Sequence, residues 1–152
     1  MSVTLIERSP SDSVIINNLR KMGYKATSQR IAICRLALSS REHPTAQGIY
    51  RDVKRLHPTV SLATVYKTLR VLKTLSLIQE MPLPQSETRF DSNVSAHFNT
   101  VCLHCGSVTD VKDQSLSNVV SKAASKIKFK VTGQRLDLYG VCDRCVRRGI
   151  TT

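Results

Sequence analysis

Cys102-Leu-His-Cys105 and Cys142-Asp-Arg-Cys145 form two Cys-x-x-Cys pairs with 36 residues between them. Four thiolates at this spacing suit one tetrahedral zinc ion, which would close a small domain too poor in apolar surface to hold itself. The rival uses of such pairs are disulfides and thiol exchange. Disulfides belong to oxidising compartments. Met1–Pro10 carries Glu7 and Arg8 and has no apolar stretch of the secretory kind. No run approaches the roughly 18 apolar residues of a membrane span, so the expectation is a cytoplasmic, reducing setting. A thiol-exchange enzyme needs an accessible thiol of low pKa, usually at a helix N-terminus, whereas both pairs read as strand ends. With no glycine-rich phosphate loop and no nucleophile triad, the chain reads as a non-enzyme with no small-molecule substrate.

The charge points to a partner. Lys and Arg number 23 against 11 Asp and Glu, a formal net charge of +12. Residues 1–91 hold 14 cations and 7 anions, and residues 92–152 hold 9 and 4, so the excess is spread as +7 and +5. One zinc on four thiolates would leave about +10. A polyanion is the default partner for such a surface, because counterions released from phosphates favour binding.

The elements that position these residues divide in two. With no Trp and 5% aromatics in 152 residues, the core must be aliphatic. Asp12 caps a first predicted helix with the stripe Ile15, Leu19 and Met22, ended by Gly23. Thr27 starts a second, with Ile31, Cys34 and Leu38 on one face; Cys34 reads as a small core residue rather than a reactive thiol. Thr45 opens a third with Ala46, Ile49, Val53 and Leu56, stopped at Pro58, where His57 reads as a solvated or capping residue. Ser61 begins a fourth running to about Leu75. There Leu62, Val65, Leu69 and Leu72 form the buried stripe, while Ala63, Thr64, Lys67 and Arg70 face outward and Tyr66 lies on the border. An alternating hairpin, Leu77–Leu83 and Glu87–Asp91, follows. Short helices and then a hairpin describe a winged helix-turn-helix.

Ser92–Ala96 is small and polar, a plausible hinge, so the domains divide as 1–91 and 92–152. Beyond it, Phe98, Val101, Leu103, Val108 and Val111 alternate as strands. Ser115 opens a helix with Leu116, Val119, Val120, Ala123 and Ile127, and a last strand from about Phe129 to Tyr139 delivers Cys142 and Cys145. The fold class is α+β, a winged helix followed by a small α/β unit with a mostly antiparallel sheet. An edge strand and an aliphatic helix in so short a unit imply burial against a second copy.

Tyr24-Lys-Ala-Thr-Ser-Gln-Arg30, His43-Pro-Thr-Ala46, Ser61-Leu-Ala-Thr-Val-Tyr66, Arg89-Phe-Asp91 and the two cysteine pairs, in this order, resemble the ferric uptake regulator family from about residue 15 to 146. The Arg-Phe-Asp and Leu138-Tyr-Gly-Val-Cys142 segments are most similar to its peroxide-sensing branch. The resemblance implies a homodimeric, metal-dependent repressor of transcription that binds a double-stranded DNA operator. It assigns one structural zinc per subunit to Cys102, Cys105, Cys142 and Cys145. It assigns one regulatory Fe²⁺ or Mn²⁺ per subunit to His43, Asp91, His97, Asn99 and Asp110. The departure is Asn99, where that branch has a second histidine; by strand alternation His97 and Asn99 still share a face. For DNA it points to Lys25, Arg30, Ser61, Thr64, Tyr66, Lys67 and Arg70, although Arg30 could equally pair within its own domain.

Two imidazoles, two carboxylates and an amide suit Fe²⁺ or Mn²⁺ better than a thiolate-loving ion. Replacing an imidazole by a neutral oxygen weakens Fe²⁺ or Zn²⁺ more than Mn²⁺. His104 reads as exposed between its cysteines, and Asp113 is an alternative carboxylate. Two other functions stay open: a zinc-stapled DNA-binding regulator with no regulatory metal or peroxide response, and a zinc-responsive regulator.

Overall fold

The computed structural model describes residues 10–84, 87–95, 97–111, 113–127, 129–130 and 135–150, with only the backbone at 114, 116 and 117. The chain divides into two compact units, Met1–Val94 and Ser95–Thr152, three residues later than the division read from the sequence. The N-terminal residues 1–9, part of the hinge at Ala96 and part of the last expected strand lie outside the described residues.

The first unit contains α1 (Asp12–Lys21), α2 (Ser28–Ser39), α3 (Ala46–Leu56), α4 (Leu62–Thr74), β1 (Gln79–Met81) and β2 (Arg89–Asp91). Three helices start where a hydroxyl satisfies an orphan amide: Thr27 accepts from Arg30 N, Thr45 from Gly48 N and Ser61 from Thr64 N. α1 differs from the expectation. Ser11 is its N-cap, without a side-chain bond, and Asp12 is the first helical residue. The Asp12 carboxylate instead pairs with Arg35 of α2, a partner 23 residues away that no local rule reveals. Gly23, at φ +77°, closes α1 in a Schellman turn, with Gly23 N on Arg20 O and Tyr24 N on Leu19 O.

Ile15, Leu19, Ile33, Cys34, Ala37, Ile49, Val53, Val65, Leu69, Leu72 and Phe90 belong to one buried cluster. Cys34 is fully buried, and burial pushes its thiol up to about 12. In α2 the face that is buried is Ile33, Cys34 and Ala37, with Ile31 and Leu38 half-buried. α4 also buries Thr68 and Val71; Thr68 manages this because its hydroxyl donates to Thr64 O at 2.8 Å. Leu56, expected in the core, is 79% exposed. The helical period fixes its direction, but at the end of α3 none of the described residues covers it. The hairpin pairs Gln79 with Asp91 and Met81 with Arg89, with strands shorter than the alternation implied.

The second unit contains β3 (Phe98–Cys102), β4 (Val108–Val111), α5 (Gln114–Lys126), β5 (Asp137–Gly140) and α6 (Asp143–Val146). Its sheet runs β4-β3-β5. β3 and β4 are antiparallel, but β5 lies parallel to β3, so the sheet is mixed. The sequence shows no pairing partner, and the α5 connection carries the chain back to run in the β3 direction. α5 begins one residue before Ser115, because Asp113 caps it by accepting from Ser115 N at 2.8 Å. The Ser115 hydroxyl, and then this backbone bond, hold the Asp113 carboxyl below its ordinary range and commit it to the cap. Among the described residues, no helix is long and apolar enough to cross a membrane.

Candidate metal centres and nucleic-acid interface

The four cysteines converge from two turns. Cys102 ends β3, and the knuckle Leu103–Cys105 closes at Gly106, whose φ of +68° and N–H to Cys102 O (2.9 Å) make the tight reversal. Leu103 N donates to Gly140 O at 2.8 Å, drawing the knuckle onto the end of β5. There Cys142 caps α6, with Cys145 one turn on. The strand-end reading therefore holds for Cys102 and not for Cys142.

Cys102 Sγ lies 3.9 Å from Cys145 Sγ, and Cys105 Sγ lies 3.7 Å from Cys142 Sγ. All four sulfurs are within 4.8 Å of one another. Tetrahedral zinc with bonds of about 2.3 Å spaces its sulfurs by about 3.8 Å, so the residues fit the ion. Disulfides are excluded at these separations, since an S–S bond is about 2.05 Å. The surroundings favour thiolate at one corner: the Ser107 hydroxyl and backbone, then Arg144, bring the Cys105 thiol down to about 5. Burial and then the neighbouring thiols push Cys145 up to about 12, a cost that a divalent cation among the sulfurs removes. His104 is exposed between them.

The first unit carries two of the five residues of the expected regulatory set, His43 and Asp91. His43 Nε2 is 3.7 Å from an Asp91 oxygen, and both side chains are buried. The Arg-Phe-Asp strand builds this pair: Arg89 Nη1 donates to His43 O at 3.1 Å, Phe90 N donates to Pro44 O, and Thr45 bridges Arg89. His43 itself sits at φ +50°, a left-handed conformation uncommon for a residue with a Cβ and enriched at functional sites. Asn93 N donates to Asp91 Oδ1 at 2.7 Å, fixing the carboxylate.

The second unit carries the rest. Asn99 and Asp110 are partners across β3 and β4 and so share one face of the sheet, with His97 two residues before Asn99. His97 and Asn99 are buried. His97 Nδ1 lies 2.8 Å from Ser95 O, which leaves Nε2 as its ligand nitrogen. Asn99 Nδ2 donates to Asp137 at 3.3 Å, while Asn99 Oδ1 is buried without a hydrogen-bond partner among the described residues. A buried amide oxygen that no donor serves is what a cation ligand looks like before the cation. Sequence reasoning missed Asp137. Its signal was the alternation Arg135-x-Asp137-x-Tyr139, charged and polar on one side of a strand that otherwise reads as aliphatic.

On α4, Tyr66, Lys67 and Arg70 are exposed and Thr64 is half-buried. The Ser61 hydroxyl accepts from Thr64 N at 3.1 Å and lies 2.9 Å from the Thr64 hydroxyl, so the cap occupies both groups. Lys25 is exposed. Arg30 Nη1 donates to Lys25 O at 2.8 Å, with its guanidinium 5.1 Å from the centre of the Tyr24 ring. On α3, Arg51, Lys54 and Arg55, absent from the sequence-based set, add exposed cations; Lys54 lies over the Tyr50 ring at 4.9 Å.

A model of the Ferric uptake regulator family matches residues 21–139. The peroxide-responsive repressor PerR of Staphylococcus epidermidis is 39% identical over 134 residues, 88% of this chain and 89% of that protein. The Campylobacter jejuni peroxide stress regulator superposes with a TM-score of 0.71 at 30% identity, over 86% of this chain and 98% of that one. The ferric uptake regulator of Pseudomonas aeruginosa with manganese gives 0.73 at 25% identity, with the same two coverages. The chain belongs to the ferric uptake regulator family, a family of transcriptional regulators and not of enzymes.

Proposed function

We propose that the protein is a cytoplasmic, homodimeric repressor that binds operator DNA when a regulatory Fe²⁺ or Mn²⁺ is held by His43, Asp91, His97, Asn99 and Asp110, each subunit also carrying one zinc on Cys102, Cys105, Cys142 and Cys145. The observation that carries this reading is the buried Asn99 Oδ1, unserved among the described residues, on the face shared with His97 and Asp110, together with the buried His43–Asp91 pair. Five nitrogen and oxygen donors without a thiolate suit a ferrous or manganous ion. The relatives named as peroxide-responsive repressors, and the neighbour solved with manganese, support it further.

Lys67, Arg70 and Tyr66 are the groups on α4 available to base edges and phosphates, and Arg51, Lys54 and Arg55 on α3 are available to the backbone that the first helix of such a motif crosses. A dimer engages two half-sites only in orientations that fit both grooves. Ligands drawn from both units to one ion would narrow those orientations and lower the ordering cost. Coupling of this kind is worth about 1–3 kcal/mol, or roughly 5- to 150-fold in DNA affinity. Ferrous iron, if bound there, would relay electrons to the peroxide O–O bond. Overall His43 or His97 would give up two electrons and take up one oxygen atom while the other leaves as water, and the modified imidazole would no longer serve as a ligand.

The test is a gel shift with fragments of the chain's own promoter region, with Mn²⁺, Fe²⁺ or Zn²⁺, with and without peroxide, and mass analysis of the histidine peptides. Metal-dependent retardation, lost after peroxide only in the Fe²⁺ sample with +16 Da on His43 or His97, is the expected result. Identical retardation before and after a chelator too weak to strip the cysteine site would instead mark a zinc-braced DNA-binding protein without a metal trigger.

A further inference from the structure

An asparagine offers an oxygen at one end of its amide and an NH₂ at the other, and a half-turn about its last torsion exchanges them. Only the oxygen can hold a cation. At position 99 this choice is decided by a neighbour on β5. Asp137 is the register partner of Asn99 in the parallel β3–β5 pair, its side chain is 7% exposed, and its Oδ1 accepts from Asn99 Nδ2 at 3.3 Å. A carboxylate only accepts, so it holds the NH₂ toward itself and turns the oxygen away, into the buried position where no donor among the described residues meets it. Asp137 is in turn committed through its other oxygen: Oδ2 takes the Arg135 guanidinium, and the Tyr139 hydroxyl donates to it at 3.2 Å. Arg135, just before β5, and Tyr139 within it thus fix an acceptor beside the one ligand that departs from the family pattern.

We propose that Asp137, anchored by Arg135 and Tyr139, is a positioning residue that sets the orientation of the Asn99 amide and thereby makes its oxygen a ligand of the regulatory ion. This rests on the regulatory-site reading above. Outer groups of this kind typically change metal affinity by about 10- to 100-fold.

The test is Mn²⁺ binding by the full-length, zinc-loaded protein, read from the paramagnetic resonance of free Mn²⁺ and independent of DNA. Asn99→Ala should weaken binding, Asp137→Ala should weaken it about 10- to 100-fold, and Asp137→Ala added to Asn99→Ala should cost nothing more. Zinc content reports that the fold is kept. Should Asp137→Ala lose zinc, Arg135→Gln, which releases the carboxylate without touching the strand register, carries the same expectation in the same cycle. Wild-type affinity in the Asp137 or Arg135 variant, or an equal loss with and without Asn99, overturns the positioning role while leaving the site intact. Mn²⁺ affinity indifferent to Asn99→Ala overturns the site reading itself.

Discussion

The helical unit buries an aliphatic cluster drawn from four helices and β2, from Ile15 to Phe90. In the sheet unit, among the described residues, the buried apolar side chains are Val101, Cys102 and Cys145. Val119, Ile127, Phe129, Leu136 and Leu138 of that unit all stand at least 44% exposed. Each buried aliphatic side chain stabilises by about 1.5–3 kcal/mol, so the first unit is held by its own core. Among the described residues the second has no comparable core, and two of its three buried apolar groups, Cys102 and Cys145, belong to the cluster proposed to hold zinc. Its exposed aliphatic residues are what a second copy would cover, and its sulfur cluster is what an ion would close.

This contrast can be broken most severely at the zinc. Cys145→Ser leaves three thiolates, and structural zinc in small domains contributes about 10–16 kcal/mol of apparent binding energy. The variant should purify without zinc and lose amide protection from β3 to α6, while α2 and α4 remain protected. Hydrogen exchange reads both at once; protection of β3 surviving in the zinc-free variant would show that the sheet unit needs no ion. The converse change is Leu69→Ala, which should cost about 2–5 kcal/mol through the cavity it leaves. Thermal melting should show this in the helical unit alone, with zinc still bound; loss of zinc on this substitution would mean that the two units do not stand apart energetically. A smaller effect is expected at the exposed face. Leu138→Asp should raise the dimer dissociation constant at least about tenfold, near 1.4 kcal/mol, with the zinc content unchanged. Sedimentation showing the same association for both proteins would remove Leu138 from any interface.

Much of the site was legible because its chemistry is carried by residue type. The cysteine spacing named a tetrahedral site, and the alternation of His97 with Asn99 put both on one face. The caps Thr27, Thr45 and Ser61 were legible too, since a hydroxyl three residues before an orphan amide is a local relation. Asp12 misled for the same reason: the residue type fits a cap, but Arg35 across the helix pair competes for it and wins. Leu56 and the parallel β5 were not legible, because periodicity gives a direction and says nothing of what lies there.

The sequence by itself determined which side chains could ligate, where helices begin, and that the molecule would be cationic and aliphatic; these depend on composition and on neighbours within one turn. Only the tertiary structure brought the sulfurs of Cys102 and Cys145 to 3.9 Å, turned His43 into a left-handed conformation beneath the Arg89 strand, and set Asp137 beside Asn99. Those relations join residues about 40 positions apart, and at such separations it is the register of paired strands that decides which atoms meet.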